Sequence, residues 1–212
     1  MGLNVTVVPT TEPITIAEAK AHLRVDDSED DTTILSFVSA CRGYLEDMLN
    51  RTLVSTTYEW TRDGFPPSHR DVWNSSSIRG RETFYVPRSP LASVTSIQYI
   101  DEDGVTQTLA SSKYTVDTGS EPGRIYPTID EFWPDTRGVN NSVTVTYVAG
   151  YGTLTAVPNQ IKQCLMLLLA GWYENREYVI TNTRFDTLPL GVEELITNNR
   201  IEDHSLEEDF NY

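Results

Sequence analysis

The chain has 212 residues, 39% of them hydrophobic and 10% aromatic, which is enough to bury a core and argues against wholesale disorder. Sixteen Lys and Arg against 31 Asp and Glu leave a formal net charge of −15. That balance argues against a broad basic face that holds nucleic acid, because phosphate binding depends on Lys and Arg releasing counterions. It is compatible with DNA sliding past a surface that repels it. Cys41 and Cys164 both fall on apolar helical faces and read as small core residues. The N-terminus lacks a signal-peptide pattern, and the ten-residue apolar run Cys164–Tyr173 is well short of the roughly 20 residues that span a bilayer. The expectation is a soluble, cytoplasmic-type protein with no membrane contact.

In chain order, Asn4 to Val8 alternates weakly as a short strand or arm, ended by Pro9 and Pro13. Thr15-Ile-Ala-Glu18 predicts a capping box, in which the Thr15 hydroxyl accepts from the Glu18 amide and the Glu18 side chain reaches back. The helix it opens runs from Ile16 to about Arg24. An acidic turn, Asp26 to Asp31, precedes a second helix over Asp31–Leu49, and its charge suits the amides of a helix N-terminus. Apolar residues at Ile34, Phe37, Val38, Cys41, Leu45, Met48 and Leu49 are spaced by threes and fours, an amphipathic signal.

From Leu53 the period becomes two. Leu53–Thr61, Thr83–Val86, Val94–Ile100, Thr106–Leu109, Tyr114–Asp117, Arg124–Tyr126 and Val143–Tyr147 read as short strands. The Asp103-Gly104 pair supplies a hairpin turn. Pro66 to Arg81 is polar and patternless, a long loop. After Gly150 and Gly152 a helix over Pro158–Arg176 is apolar nearly all round and must be covered on nearly all sides. A short helix follows around Val192–Thr197. The end, Glu202 to Tyr212, is acidic with Leu206, Phe210 and Tyr212 spaced through it, a pattern that orders on a partner. The fold class expected is α+β: a helical core (residues 1–52 and 149–200) with an antiparallel β-barrel or sandwich inserted at 53–148, and an acidic tail at 201–212.

No enzyme constellation emerges. His22, His69 and His204 are scattered, no Cys-x-x-Cys or His-Glu-x-x-His occurs, and Gly150-Tyr-Gly152 lacks the remaining residues of a phosphate loop. The carboxylate pairs Glu102/Asp103 and Asp130/Glu131 lie in turn-like sequence. Trp60, Trp73, Trp133 and Trp172 could make a sugar-stacking platform, but read more simply as core or interface residues. The expectation is no catalytic residue, no metal and no cofactor. Arg62, Arg70, Arg79, Arg81 and Arg88 form the one basic window, read as a solvated loop or, through Arg79 and Arg81, as a contact with an acidic patch on a neighbouring subunit.

Pro13-Ile-Thr-Ile-Ala-Glu-Ala-Lys-Ala-His-Leu-Arg-Val-Asp26, then Tyr44-Leu-Glu-Asp-Met-Leu-Asn-Arg-Thr52, Val143-Thr-Val-Thr-Tyr-Val-Ala-Gly-Tyr-Gly152, Val157-Pro158 and Trp172-Tyr-Glu-Asn-Arg-Glu177 follow in that order. This ordered set, roughly 80 residues at the two ends of the chain, resembles the head–tail connector (adaptor, or head-completion) proteins of long-tailed bacteriophages and gene transfer agents. The resemblance implies a structural virion protein at the head–tail interface, assembled in the host cytoplasm. It would form a ring, usually of twelve copies, beneath the portal protein. The ring would extend the DNA channel without tight DNA binding and join the next connector or tail-completion protein. Subunit contacts are expected at Leu165, Leu168, Leu169, Trp172, Tyr173, Arg79 and Arg81, and portal contacts at Leu206, Phe210 and Tyr212. A tail-terminator protein, or a glycan-binding or glycan-cleaving module of the tail apparatus, are the alternatives.

Overall fold

A computed structural model describes residues 2–66, 83–175 and 191–201. The architecture is α+β, and the chain divides into two compact units. One is helical, from Pro9–Val54 and Tyr151–Ile201; the other holds the strands, Met1–Val8 and Ser55–Gly150 among its segments.

The helical unit contains α1 (Ile16–Leu23), α2 (Asp31–Leu49), α3 (Asn159–Glu174) and α4 (Val192–Asn199). At α1 the capping box forms as the sequence predicts: the Glu18 amide donates to Thr15 Oγ1 at 3.1 Å, and the Thr15 amide donates to Glu18 Oε2 at 2.7 Å. Both orphan donors of the first turn are thereby satisfied. Arg24 and Asn50 close α1 and α2 in the left-handed conformation, with φ of 58° and 52°. The inward stripe of α2, Ile34, Val38, Cys41, Leu45 and Leu49, meets Ile161, Cys164, Leu165, Leu168 and Leu169 of α3 in one buried cluster. Leu53, expected to begin a strand, is instead fully buried in this cluster, and its amide donates to Glu46 Oε1 at 2.7 Å. Val192 and Ile196 of α4 complete the cluster.

The β unit contains β1 (Gly2–Val7), β2 (Thr56–Arg62), β3 (Phe84–Tyr85), β4 (Leu91–Ile100), β5 (Thr106–Thr108), β6 (Tyr114–Asp117), β7 (Arg124–Pro127) and β8 (Val143–Ala149). A five-stranded sheet runs in the order β1-β2-β8-β4-β5, and a three-stranded sheet in the order β3-β7-β6, antiparallel throughout. Both sheets contribute to a single buried cluster, in which Tyr58, Trp60, Ile97, Val143, Val145 and Tyr147 of the first face Phe84, Tyr114 and Ile125 of the second. Residues alternate strictly in β2 and β8, buried at every second position, as a sheet with one face on a core requires. The barrel alternative is corrected: among the described residues the larger sheet ends in two open edges, β1 and β5. The N-terminal residues, expected with the helices, pair with β2 from Gly2↔Thr61 to Val7↔Thr57 and so belong to the sheet.

Two glycines carry the chain from β8 towards α3. Gly150 (φ 116°) and Gly152 (φ 86°) both sit where a side chain would be strained, which explains the glycine pair read in the sequence.

Candidate assembly surfaces

Part of the apolar surface of α3 is covered within its own unit, while Met166, Leu167, Trp172 and Tyr173 are only partly buried. Leu165 and Leu169 are wholly buried and Leu168 is 4% exposed, all inside the helical cluster. These three expected subunit contacts are therefore occupied in covering their own unit, since α2 and α4 together with α1 supply the partners that the sequence reading found wanting. Trp172 and Tyr173 are only partly buried. The Trp172 ring lies 5.9 Å from that of Tyr44, itself 38% exposed, and the Tyr173 hydroxyl donates to Asp30 Oδ2 at 2.6 Å.

That last bond gives the acidic turn before α2 a purpose that charge alone did not reveal. Asp30 takes the Tyr173 hydroxyl, and Asp31 takes Lys20 Nζ at 2.7 Å. The turn thus ties α1 and α3 to the start of α2. At mid-helix, Arg42 donates from Nε to Glu12 at 2.7 Å and from Nη1 to Glu46 at 2.9 Å. Glu46 is 8% exposed, so this is a paired, nearly buried carboxylate whose other oxygen accepts the Leu53 amide. The signal in the sequence was the Arg42–Glu46 spacing of four. At the far end of α2, Arg51 donates to the Asn199 carbonyl at 2.7 Å and to the Tyr151 hydroxyl at 2.9 Å, and the Ile201 amide donates to the Leu49 carbonyl at 3.0 Å. The last described residues are held by named bonds.

In the β unit the basic window loses a member. Arg62 is 6% exposed, with its guanidinium 5.1 Å from the Trp60 ring centroid and 5.2 Å from that of Phe84. A cation over aromatic faces explains why it is inside. Its position in β2, in phase with Tyr58 and Trp60, already placed it on the inward face. Arg70, Arg79 and Arg81 lie outside the described residues, as do Leu206, Phe210 and Tyr212. The sugar platform is also corrected: Trp60 and Trp133 are 1% and 2% exposed, and Trp133 stacks on Phe65 at 4.9 Å with the planes 10° apart. Trp73 lies outside the described residues.

Chemical reactivity is low at the groups that carry it. Burial pushes the Cys41 thiol up to about 12 and the Cys164 thiol up to about 11, so both are protonated and inert near neutral pH. Glu131 is paired with Lys113 at 2.6 Å, and Asp101 accepts the Val105 amide at 2.8 Å inside its hairpin turn. Asp117 is held down to about 2, first by the Arg124 guanidinium, then by the Ser120 hydroxyl and the Gly119 amide. It locks the β6–β7 turn. Among the described residues no group of His, Cys, Asp and Glu is placed to hold a metal ion, and no helix is long and apolar enough to cross a membrane.

What the β unit does offer is apolar surface at its margins. Val5 (51% exposed), Val7 (57%) and Val8 (69%) lie along or just past β1, and Val105 (53%) lies beside β5. Ile129 (73%), Phe132 (49%) and Val139 (40%) lie on the segment between β7 and β8. That segment is held by the Lys113–Glu131 pair, by the Thr128 amide to the Lys113 carbonyl at 3.0 Å and by the buried Trp133. On that segment, exposed apolar side chains thus stand on a backbone held in place.

The family model described as head completion protein matches residues 12–186. Among solved structures, the fold is similar to that of a chain in the neck of an empty GTA particle computed with C6 symmetry. That match has a TM-score of 0.72 and 22% identity, covering 96% of this chain and 97% of that one. A chain of the virion of a native gene transfer agent (GTA) particle gives a TM-score of 0.73 at 21% identity, and one from the neck of a native GTA particle computed with C12 symmetry gives 0.70 at 23%. Both cover 96% of this chain and 97% of the other. No curated protein matches the sequence.

Proposed function

The chain belongs to the head completion protein family, and from that premise we propose that it is a structural component of a virion neck, forming a ring beneath the portal protein. In this reading the ring, of twelve copies, extends the DNA channel and offers its far side to the next connector or tail-completion protein. The observation that carries it is the family match over residues 12–186, joined to a fold shared along nearly the whole chain with proteins from a particle neck. The net charge of −15 supports a channel that passes DNA without retaining it, since a wall that repels phosphate does not trap it. Trp172 and Tyr173, with accessible surface left on α3, remain lateral-contact candidates, and Arg79 and Arg81, outside the described residues, are proposed as lateral contacts from the sequence. Leu206, Phe210 and Tyr212 are proposed to meet the portal.

Electron microscopy of the full chain mixed with its portal protein tests the reading. Rings seated on the portal are expected. A chain that stays monomeric at every ratio and concentration sinks the proposal.

A further inference from the structure

We propose that the second half of α2 is a clasp on the chain passages between the two units, and that through it the sheet and the helices unfold together. The inference goes beyond the neck reading and stands whether or not the chain forms a ring.

Among the described residues the chain passes between the units three times, at Val8–Pro9, Val54–Ser55 and Gly150–Tyr151. On the sheet side the three passages leave from adjacent strands. β1, β2 and β8 are neighbours, and the register sets Val7 opposite Thr57 and Thr56 opposite Ala149. Paired strands lie about 4.8 Å apart, so the three passages start within roughly 10 Å of one another.

On the helical side each passage meets a polar group in or just past α2. Glu12, with no charged side chain before it in the sequence, accepts from Arg42 Nε at 2.7 Å. The Leu53 amide donates to Glu46 Oε1 at 2.7 Å. The Tyr151 hydroxyl accepts from Arg51 Nη1 at 2.9 Å. Arg42 also donates to Glu46, at 2.9 Å, so the first two ties share one ion pair. Each passage further carries an apolar anchor sunk in the helical cluster: Ile14, Leu53 and Val157.

Units that unfold independently are joined by slack, exposed linkers. These passages have little slack. Only Val54 and Ser55 separate Leu53 from β2, and only Gly150 separates β8 from Tyr151. Val54 and Gly150 are themselves buried, and the Gly150 amide donates to the Pro90 carbonyl at 2.9 Å. The first passage is longer, Val8 to Thr11, and is stiffened by Pro9, whose ring fixes φ. Melting of the sheet frees the neighbouring strand ends that hold Glu12, Leu53 and Tyr151 in place. Arg42 and Glu46 then lose partners inside the helical unit, which is costly for charged groups so little exposed. Loss of order in the sheet is thereby carried into the helices.

The test is hydrogen exchange of the full-length chain, followed by mass spectrometry at the slowest amides of β2 and of α3. Val145→Ala, in the core of the β unit, is the probe. Exchange is expected to rise by a similar factor in both elements, at least about tenfold. With Gly-Ser-Gly-Ser inserted after Val54 and again after Gly150, the same substitution is expected to act on β2 alone and leave α3 within about twofold. A rise confined to β2 without the insertions shows independent units and overturns the proposal. A rise in both elements that persists with the insertions puts the coupling elsewhere and overturns it too. As a second measurement that needs no insertion, Glu12→Gln with Arg51→Gln cuts two ties and keeps the Arg42–Glu46 pair. It is expected to shrink the α3 response to Val145→Ala at least about threefold. An unchanged response in that variant also overturns the clasp.

Discussion

The helical unit and the β unit fill their interiors with different materials. Among the described residues no buried member of the helical cluster is aromatic; leucine, isoleucine, valine, Ala19 and two cysteines do the packing. In the β unit Tyr58, Trp60, Phe84, Tyr114, Trp133 and Tyr147 are buried together, and Phe65 stacks against them from the rim. The aliphatic core distributes its stabilisation over many small side chains at helical spacing. The aromatic core concentrates it in a few large ones whose ring geometry adds to the area they bury. Among the described residues, the helical unit exposes Leu35 and Tyr44, while the β unit exposes more, Val5, Val7, Val8, Val105, Ile129, Phe132 and Val139.

Three variants break or sharpen that contrast. Trp133→Ala removes the stacking partner of Phe65 and a tilted ring contact with Phe84, the centroids 5.2 Å apart. It is expected to cost about 4 kcal/mol in denaturant unfolding, in the range for large aromatic truncations. A loss below about 1 kcal/mol would show that the aromatic core is not concentrated there. Leu169→Ala in α3 is expected to cost about 3 kcal/mol in the isolated chain, because the site is wholly buried before any assembly. Were stability unchanged and only ring formation lost, α3 would be an interface helix first and a core helix second. Asp117→Asn has the smallest effect and appears only with pH. The folded-state value of Asp117, about 2, lies below its usual 3.8, so its contribution is fully present above about pH 4 and is lost as pH falls through 2. The wild-type melting temperature should therefore drop more steeply between pH 4 and pH 2 than that of the variant. Parallel pH profiles would show that the Arg124–Asp117 lock does not support the folded state.

Much of the helical unit was legible. The Thr15–Glu18 box, the three-and-four spacing of α2 and the glycine pair before α3 are local signals, and local interactions decide those elements. The strands were legible as elements but not as a topology. That β1 belongs to the sheet follows from its pairing with residues more than fifty positions away, which no local pattern announces. Arg62 and Glu46 were missed for a shared reason: each is a charge in phase with a buried stripe, and its burial depends on partners (two aromatic rings, an arginine and a backbone amide) that only the fold assembles. Part of the apolar surface of α3 is met by residues the sequence did not assign to it, Val192 and Ile196 of α4 and Leu53 beyond the end of α2, while Met166, Leu167, Trp172 and Tyr173 stay partly buried. For the assembly surfaces, the sequence pointed to the most hydrophobic stretch, whereas the exposed apolar residues sit on modest ones such as Val5 and Val105.

The charge-free stretch at β1 has a colloidal consequence. A net charge of −15 per copy repels across solution over a distance set by ionic strength, about 10 Å at 0.1 M salt, while the uncharged edge itself contributes nothing to that repulsion. The approach of two copies therefore meets a long-range barrier to which this stretch adds nothing. Added salt lowers that barrier, so any contact between copies is expected to strengthen with salt, in the opposite sense to a protein gripping nucleic acid.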